Sequence, residues 1–169
     1  MRDEFLSALS NAASSVAVVT TSGDAGMVGL TISSFCSVSA DPPTLLACVH
    51  KLSPLAETIK SNGRFCLNLL SQQQARESDI FAGRIKPQEG DKFSLVDWIK
   101  SESGQPMINH SLASFDCEVS QIIDGASHWV VFGLVTDVHA NGDSDTDASL
   151  VYCKQAYAGT TRLNSCAAA

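Results

Sequence analysis

The stretch VGLTISSFCSVSADPPTLLACVH, residues 28–50, decides the fold. It alternates like two β-strands joined at Asp41-Pro42-Pro43, because proline cannot donate to a ladder and so marks a corner or an edge. Residues Met27 to Ser39 read as one strand. Thr44 to Val49 is a continuous apolar run, the pattern of a strand buried on both faces. The first strand carries hydroxyls at Thr31, Ser33, Ser34, Ser37 and Ser39, where a core-facing strand would place apolar side chains. A short hydroxyl inside a core needs a partner, so this density asks for a ligand-facing role. The bland alternative is an exposed, decorated edge strand.

Working outward, Ser15 to Thr21 is β-branched and apolar, a strand. Ser22-Gly23-Asp24-Ala25-Gly26 forms a turn that pairs it with the hydroxyl-rich strand as a hairpin. Upstream, Phe5, Leu6, Leu9 and Ala12 recur at helical spacing over Arg2 to Ala13. Downstream, Ser53 and Pro54 start a helix that Asn62-Gly63 ends. Arg64 to Leu69 is a strand, and Ser71 to Phe81 a helix capped by Ser71. Residues 82–109 are punctuated by Gly83, Pro87, Gly90, Gly104 and Pro106 and read as loops and short pieces. Ser114 to Ile123 and Trp129 to His139 are strands joined by Asp124-Gly-Ala-Ser-His128. A polar turn over 141–147 and a short strand, Leu150 to Tyr152, complete a tally of about seven strands and three helices. Hairpin-like connections argue an antiparallel barrel or sandwich with helices packed outside it. One domain over 1–169 is expected.

The net charge of -7 disfavours nucleic acid and anionic membrane surfaces as partners. No apolar run reaches the roughly 18 residues of a membrane span. The first residues, with Asp3 and Glu4, lack a signal-peptide pattern, so a cytoplasmic location is expected. The six cysteines lack zinc or redox spacing and read as structural. The four histidines form no metal-binding pair, so no metal is expected. Asp143, Asp145 and Asp147 read as a solvated turn, since no Glu follows to complete a calcium loop. A Rossmann fingerprint, a Walker loop and a nucleophile elbow are all missing.

Gly29-Leu-Thr-Ile-Ser-Ser-Phe35, followed by Ser37-Val-Ser-Ala-Asp-Pro-Pro43, resembles the signature of the flavin reductase-like split-barrel family. The likeness extends over SSVAVVTT (14–21), GRFCLNLLSQQQ (63–74), Phe81-Ala82-Gly83, Asp91-Lys92-Phe93 and LVYCKQAY (150–157). These proteins are the reductase components of two-component flavin-dependent monooxygenases. The resemblance implies a mainly β fold with α: an antiparallel Greek-key split β-barrel with flanking helices that binds FMN or FAD. It implies hydride transfer from NADH or NADPH to the flavin, a homodimer (with which the Thr44 to Val49 strand is compatible), and a monooxygenase partner. A flavin-carrying or flavin-sensing protein without nicotinamide turnover is the rival.

By the same resemblance, Thr31, Ser33 and Ser34 flank the flavin ring, with Ser37 and Ser39 nearby. The phosphate site falls at His50-Lys51-Leu52-Ser53, where Lys51 adds a charge and Ser53 a hydroxyl just before the helix at Pro54, whose unpaired N–H groups and partial positive charge suit an anion. Phe81 and Phe93 either shield the ring or belong to the core. His128 contacts the nicotinamide or the flavin face, or simply closes a turn. The family's Gly-Asp-His before the long late strand is here Gly125-Ala126-Ser127-His128: Ser127 stands for the acid and one residue is added.

Overall fold

The computed structural model describes residues 1–140 and 148–161. Helix α1 (Arg2–Leu9) leads into β1 (Ser14–Ser15), β2 (Ala17–Thr21), β3 (Val28–Ile32), β4 (Phe35–Ala40) and β5 (Pro43–His50). Helix α2 (Pro54–Asn62), β6 (Arg64–Leu69), α3 (Ala75–Phe81) and a 3-10 turn (Lys92–Leu95) follow. The chain then forms β7 (Trp98–Lys100), β8 (Pro106–Ile108), β9 (Ala113–Gly125), β10 (His128–Ala140), β11 (Leu150–Cys153) and β12 (Ala156–Gly159). The polar turn over 141–147, with Asp143, Asp145 and Asp147, lies outside the described residues, as does the tail from 162 with Cys166. Among the described residues no helix is long and apolar enough to cross a membrane.

Seven strands make one fully antiparallel sheet in the order β3-β2-β6-β9-β10-β5-β4. Its two edge strands, β3 and β4, are consecutive in the chain and joined only by Ser33 and Ser34. From Ile32 to Phe35 the chain crosses three peptide units, at most roughly 11 Å. The first and last strands must therefore come together, and the sheet curls until its edges meet. The N–H of Cys48 donates to the carbonyl of Ser34 at 2.8 Å and fastens this joint to β5. The result is a mainly β split barrel with helices against it. Residues 27–39 are thus two strands and not the single one expected. The break sits where the barrel closes, which no local pattern encodes. The β4–β5 hairpin turns at Asp41-Pro42, whose peptide bond is cis.

Two packed regions flank β2. Ala17 and Val19 point into a core with Ile32, Leu45, Ala47, Val49, Phe65 and Leu67, closed at one end by Leu55, Ala56 and Ile59 of α2. Val16 and Val18 point the other way, into a cluster with Ile80 and Phe81 of α3, Phe93 and Leu150. β2 is therefore buried on both faces, as is the middle of β6, from Phe65 to Asn68. β5 is not: Leu45, Ala47 and Val49 are buried, while Thr44, Leu46 and Cys48 between them are partly exposed. Gly29 permits the α3 packing, since a Cβ there would stand 2.5 Å from the Phe81 ring.

Two helix boundaries differ from expectation. α1 ends at Leu9, where the Ser10 hydroxyl and the Asn11 amide bond back to the carbonyls of Ser7 and Ala8, an alternative to further helix. α3 begins at Ala75, because the Ser71 backbone is engaged in a bridge to Ser149 and in a turn closed by Gln74. Beyond the main sheet lie two small ones among the described residues, β1-β11-β12 and β7-β8; the second organises the stretch expected to be loops and short pieces.

Candidate functional site

The closure joint puts short hydroxyls beside the ends of two long strands. Ser34 is held to Cys48, and β5 ends two residues on, at His50. His50 lies opposite His128, the first residue of β10, and the two imidazoles meet edge to face with centroids 4.9 Å apart. The N–H of Lys51 donates to the carbonyl of Ser127 at 3.0 Å, tying the β9–β10 turn to the start of α2. Ser34, His50, Lys51, Ser53 and His128 thereby share one end of the barrel. His50 belongs to the segment expected to hold the phosphate, but its meeting with His128 is not encoded locally. It becomes visible only when β5 and β10 pair.

The His128 turn is tightly specified. Ala126 takes φ 63, a left-handed conformation that costs a β-carbon residue on the order of 1 kcal/mol or more. Its N–H donates to Asp124 Oδ1 at 2.9 Å, and the Ser127 hydroxyl lies 2.9 Å from His128 Nδ1. Partial burial, with the facing His50 second, holds His128 below the usual histidine range. His50 Nδ1 accepts the N–H of Leu52 at 3.2 Å.

At the start of α2, Ser53 occupies the N-cap and Pro54 the first helical position, but no side chain caps the first turn. The Ser53 hydroxyl donates instead to the His50 carbonyl at 2.7 Å. The first-turn N–H groups of α2 thus have no side-chain cap, and the donor set fits a phosphate. Lys51 is committed elsewhere: Nζ stands 2.6 Å from Asp124 Oδ1 and 4.3 Å from the Trp129 ring centroid. An exposed, solvent-screened pair of this kind holds only weakly, so it does not bar Lys51 from another anion. The pair holds the Asp124 carboxyl below the usual carboxylate range.

Thr31 and Ser33 open onto an adjoining cleft of about 170 Å³ whose other walls include Ser78, Ala82, Arg84, Tyr152 and Tyr157. Thr31 Oγ1 donates to the Ser78 carbonyl at 2.7 Å, so its hydroxyl positions α3. Arg84 reaches Asp79 at 2.9 Å and Tyr157 OH at 3.2 Å. Arg84, Tyr152 and Tyr157 were not singled out in the sequence, because they come from segments far from Thr31 in the chain. A second cleft, of about 260 Å³, shares Ser33 and Tyr152 and runs under α1 past Ser34, Leu6 and Leu9.

Ser37 and Ser39 are not brought to this end. Ser39 lies five residues beyond Ser34, roughly 17 Å along a strand. Both line a different, apolar cavity of about 330 Å³ with Leu45, Leu67, Phe115 and Val135, and the Ser39 hydroxyl is occupied in the turn with Asp41. Phe81 is fully buried and Phe93 nearly so. Their rings pack at 5.1 Å, and Phe93 continues to Trp98 at 5.6 Å. Phe93 also edges a small cleft beside Pro54 and Lys92. Lys92 donates to the Phe81 carbonyl at 2.8 Å, and burial lowers its pKa. The five described cysteines are free. Burial pushes the Cys117 thiol up to about 12 and that of Cys66 well above its ordinary value, so neither supplies a thiolate.

A curled antiparallel sheet whose hydroxyl-bearing closure joint meets an uncapped helix N-terminus and a histidine pair defines a small-ligand split barrel. Residues 9–161 match the flavin reductase like domain, and the chain belongs to that family. It is 41% identical over 131 residues to the reductase subunit HsaB of a flavin-dependent monooxygenase from Mycobacterium tuberculosis, covering 78% of this chain and 68% of the relative. It is 33% identical over 156 residues to an FMN reductase (NADH) RutF from Ancylobacter novellus, covering 92% and 83%. Among solved structures, a flavin reductase from Haemophilus somnus superposes with a TM-score of 0.86 at 33% identity, over 95% of this chain and 99% of that one.

Proposed function

We propose that this protein is an NAD(P)H-dependent flavin oxidoreductase that passes reduced flavin to a partner monooxygenase. The observation that carries the reading is the meeting of Ser33-Ser34, the uncapped α2 N-terminus and the His50–His128 pair at one end of the barrel. Bound flavin accepts hydride and the nicotinamide donates it, chemistry that belongs to the cofactors. The protein's residues supply position and charge. The Ser33 and Ser34 hydroxyls face the clefts beside the joint. The α2 N-terminus and Lys51 receive the phosphate end. His128 overhangs the space between and orients the donor. Thr31 keeps α3 in register through Ser78, and Arg84 with the two tyrosines closes the far wall.

The names of the relatives support the rest. One is a subunit that serves an oxygenase, another an NADH-dependent FMN reductase. A homodimer is supported by α1, whose Phe5, Leu6 and Leu9 are all exposed beside the second cleft. A second copy covering that face would complete the site's outer wall. We place the activity in the cytoplasm.

Titration with FMN or FAD is expected to quench flavin fluorescence with micromolar or tighter affinity. Anaerobic addition of NADH or NADPH is then expected to bleach the bound flavin's visible absorbance. Binding without bleaching by either nucleotide makes this a flavin carrier, the reading that the missing acid before His128 favours. No binding at high micromolar flavin removes the assignment altogether.

Lys51→Ala separates the phosphate from the ring. A charge-assisted hydrogen bond contributes about 1.5–3 kcal/mol, so FMN affinity should fall about tenfold or more while riboflavin affinity holds. Equal losses for both ligands would place the phosphate elsewhere.

A further inference from the structure

We propose that Ser127 and His50 are positioning residues that act through His128, holding its imidazole uncharged where the nicotinamide docks and so setting the acidic limit of hydride transfer. This rests on the reading above. It goes beyond it in assigning the Ser127 and His50 side chains a role in the charge of His128.

The geometry is specific to this turn. His128 Nδ1 is met by a hydroxyl, at 2.9 Å. A carboxylate in that place accepts only, so it fixes the proton on Nδ1 and favours imidazolium. A hydroxyl serves either neutral tautomer and carries no charge. The opposite face of the environment works in the same direction. His50 stands 4.9 Å away, ring centroid to ring centroid. Its Nδ1 accepts the Leu52 N–H, which places its own proton on Nε2 in the neutral form.

The other charged groups around the hairpin are already paired. Asp124 of β9 is bound to Lys51 at 2.6 Å and accepts the Ala126 N–H. Lys60 of α2 pairs with Glu57 at 3.0 Å and lies 3.7 Å from the Trp129 ring centroid. The two ion pairs balance, so the polar groups that meet the His128 ring are His50 and the Ser127 hydroxyl. Burial lowers the basicity of His128 first and His50 second, and the hydroxyl adds no charge to oppose them.

The chemical consequence follows from the reaction. A dihydronicotinamide that gives up hydride becomes a cationic ring, so positive charge grows at the donor in the transition state. An imidazolium facing it opposes that growth, and an imidazole does not. At a separation of about 5 Å the penalty corresponds to roughly tenfold or more in rate. Flavin reduction should therefore be level through neutral pH and fall only when His128 takes a proton, below the ordinary histidine midpoint of about 6.5.

The test compares wild type, Ser127→Asp and His50→Gln, each loaded with flavin, by two measurements. NMR titration of the His128 ring proton reads its midpoint without any nucleotide. Anaerobic single-turnover reduction at saturating nucleotide gives the rate against pH. Ser127→Asp is expected to raise the midpoint by about one pH unit or more and to carry the acid limb of the rate profile up with it. His50→Gln is expected to move both in the same direction by less. A midpoint unmoved in both variants overturns the proposal. So does a midpoint that moves while the acid limb stays in place. If no variant reduces flavin at any pH, the functional reading fails and the proposal falls with it. That case is told apart because the NMR midpoint still shifts in Ser127→Asp.

Discussion

Asn68→Leu should lower the stability of this protein by roughly 3 kcal/mol, enough to bring the melting temperature down by about 6–12 °C. Asn68 is fully buried on β6, and its amide joins four strands. Nδ2 donates to the Val18 carbonyl at 3.0 Å and to Thr20 Oγ1 at 3.3 Å, both on β2. Oδ1 accepts the Ile108 N–H of β8 at 2.9 Å and the Ser114 hydroxyl of β9 at 2.8 Å. Leucine keeps the branched skeleton but is bulkier, so it adds some overpacking, and the Ile108 and Ser114 donors lose their acceptor inside the barrel wall. Each buried group left without a partner costs about 1–3 kcal/mol, a large share of a total usually between about 5 and 15 kcal/mol. Differential scanning calorimetry or urea unfolding measures it. A midpoint within two or three degrees of wild type would show that ordered water replaces the amide. The flavin site should suffer only indirectly, because Asn68 touches none of its residues.

That network was invisible in the sequence, and the reason is general. α2 was legible because its signals are local: Ser53 and Pro54 at one end, and Gly63 at φ 67 at the other. β6 was legible by its apolar run, and its bounds agree with the sequence reading. Three things depended on contacts distant in the chain. The break at Ser33-Ser34 is imposed by two sheet edges meeting. The one-sided burial of β5 follows from its partly exposed outer face, and the two-sided burial of β2 from α3 and Phe93 packing on its back. The bridge at Ser71 arises from pairing with Ser149, far along the chain. The site divides along the same line. Thr31, Ser33 and Ser34 were legible as a cluster because they are adjacent in the chain. Ser37 and Ser39 were grouped with them by proximity in sequence, yet the strand carries them to another cavity. Arg84, Tyr152 and Tyr157 join the site only through strand pairing and helix packing, and His50, legible with the phosphate segment, meets His128 only through the β5–β10 pairing.

His128→Ala should slow anaerobic flavin reduction by about tenfold to a hundredfold while leaving flavin affinity within about twofold. The two numbers separate because of where the residue sits. The hydroxyl-bearing joint and the α2 N-terminus, to which the proposed function assigns the flavin, are built from Ser33 to Ser53. His128 comes from β10 and meets them from across the gap, through His50. Its turn is held by the Ala126 and Lys51 N–H groups and by the β9–β10 pairing, all main-chain features that alanine keeps. The backbone should not move, and the phosphate and ring contacts should survive. What is lost is the group that fixes the donor's distance and angle. Hydride transfer depends steeply on both, and misplacing the donor by about 1 Å costs on the order of a hundredfold. The lower bound reflects the Ser127 and His50 side chains, which still narrow the space the nicotinamide enters. Stopped-flow reduction across a range of nucleotide concentrations decides between the alternatives. A lower limiting rate with unchanged flavin binding supports the positioning role. An unchanged limiting rate makes His128 a turn residue and moves donor recognition to the cleft lined by Arg84, Tyr152 and Tyr157. A parallel loss of flavin affinity would show instead that His128 belongs to the flavin's own binding surface.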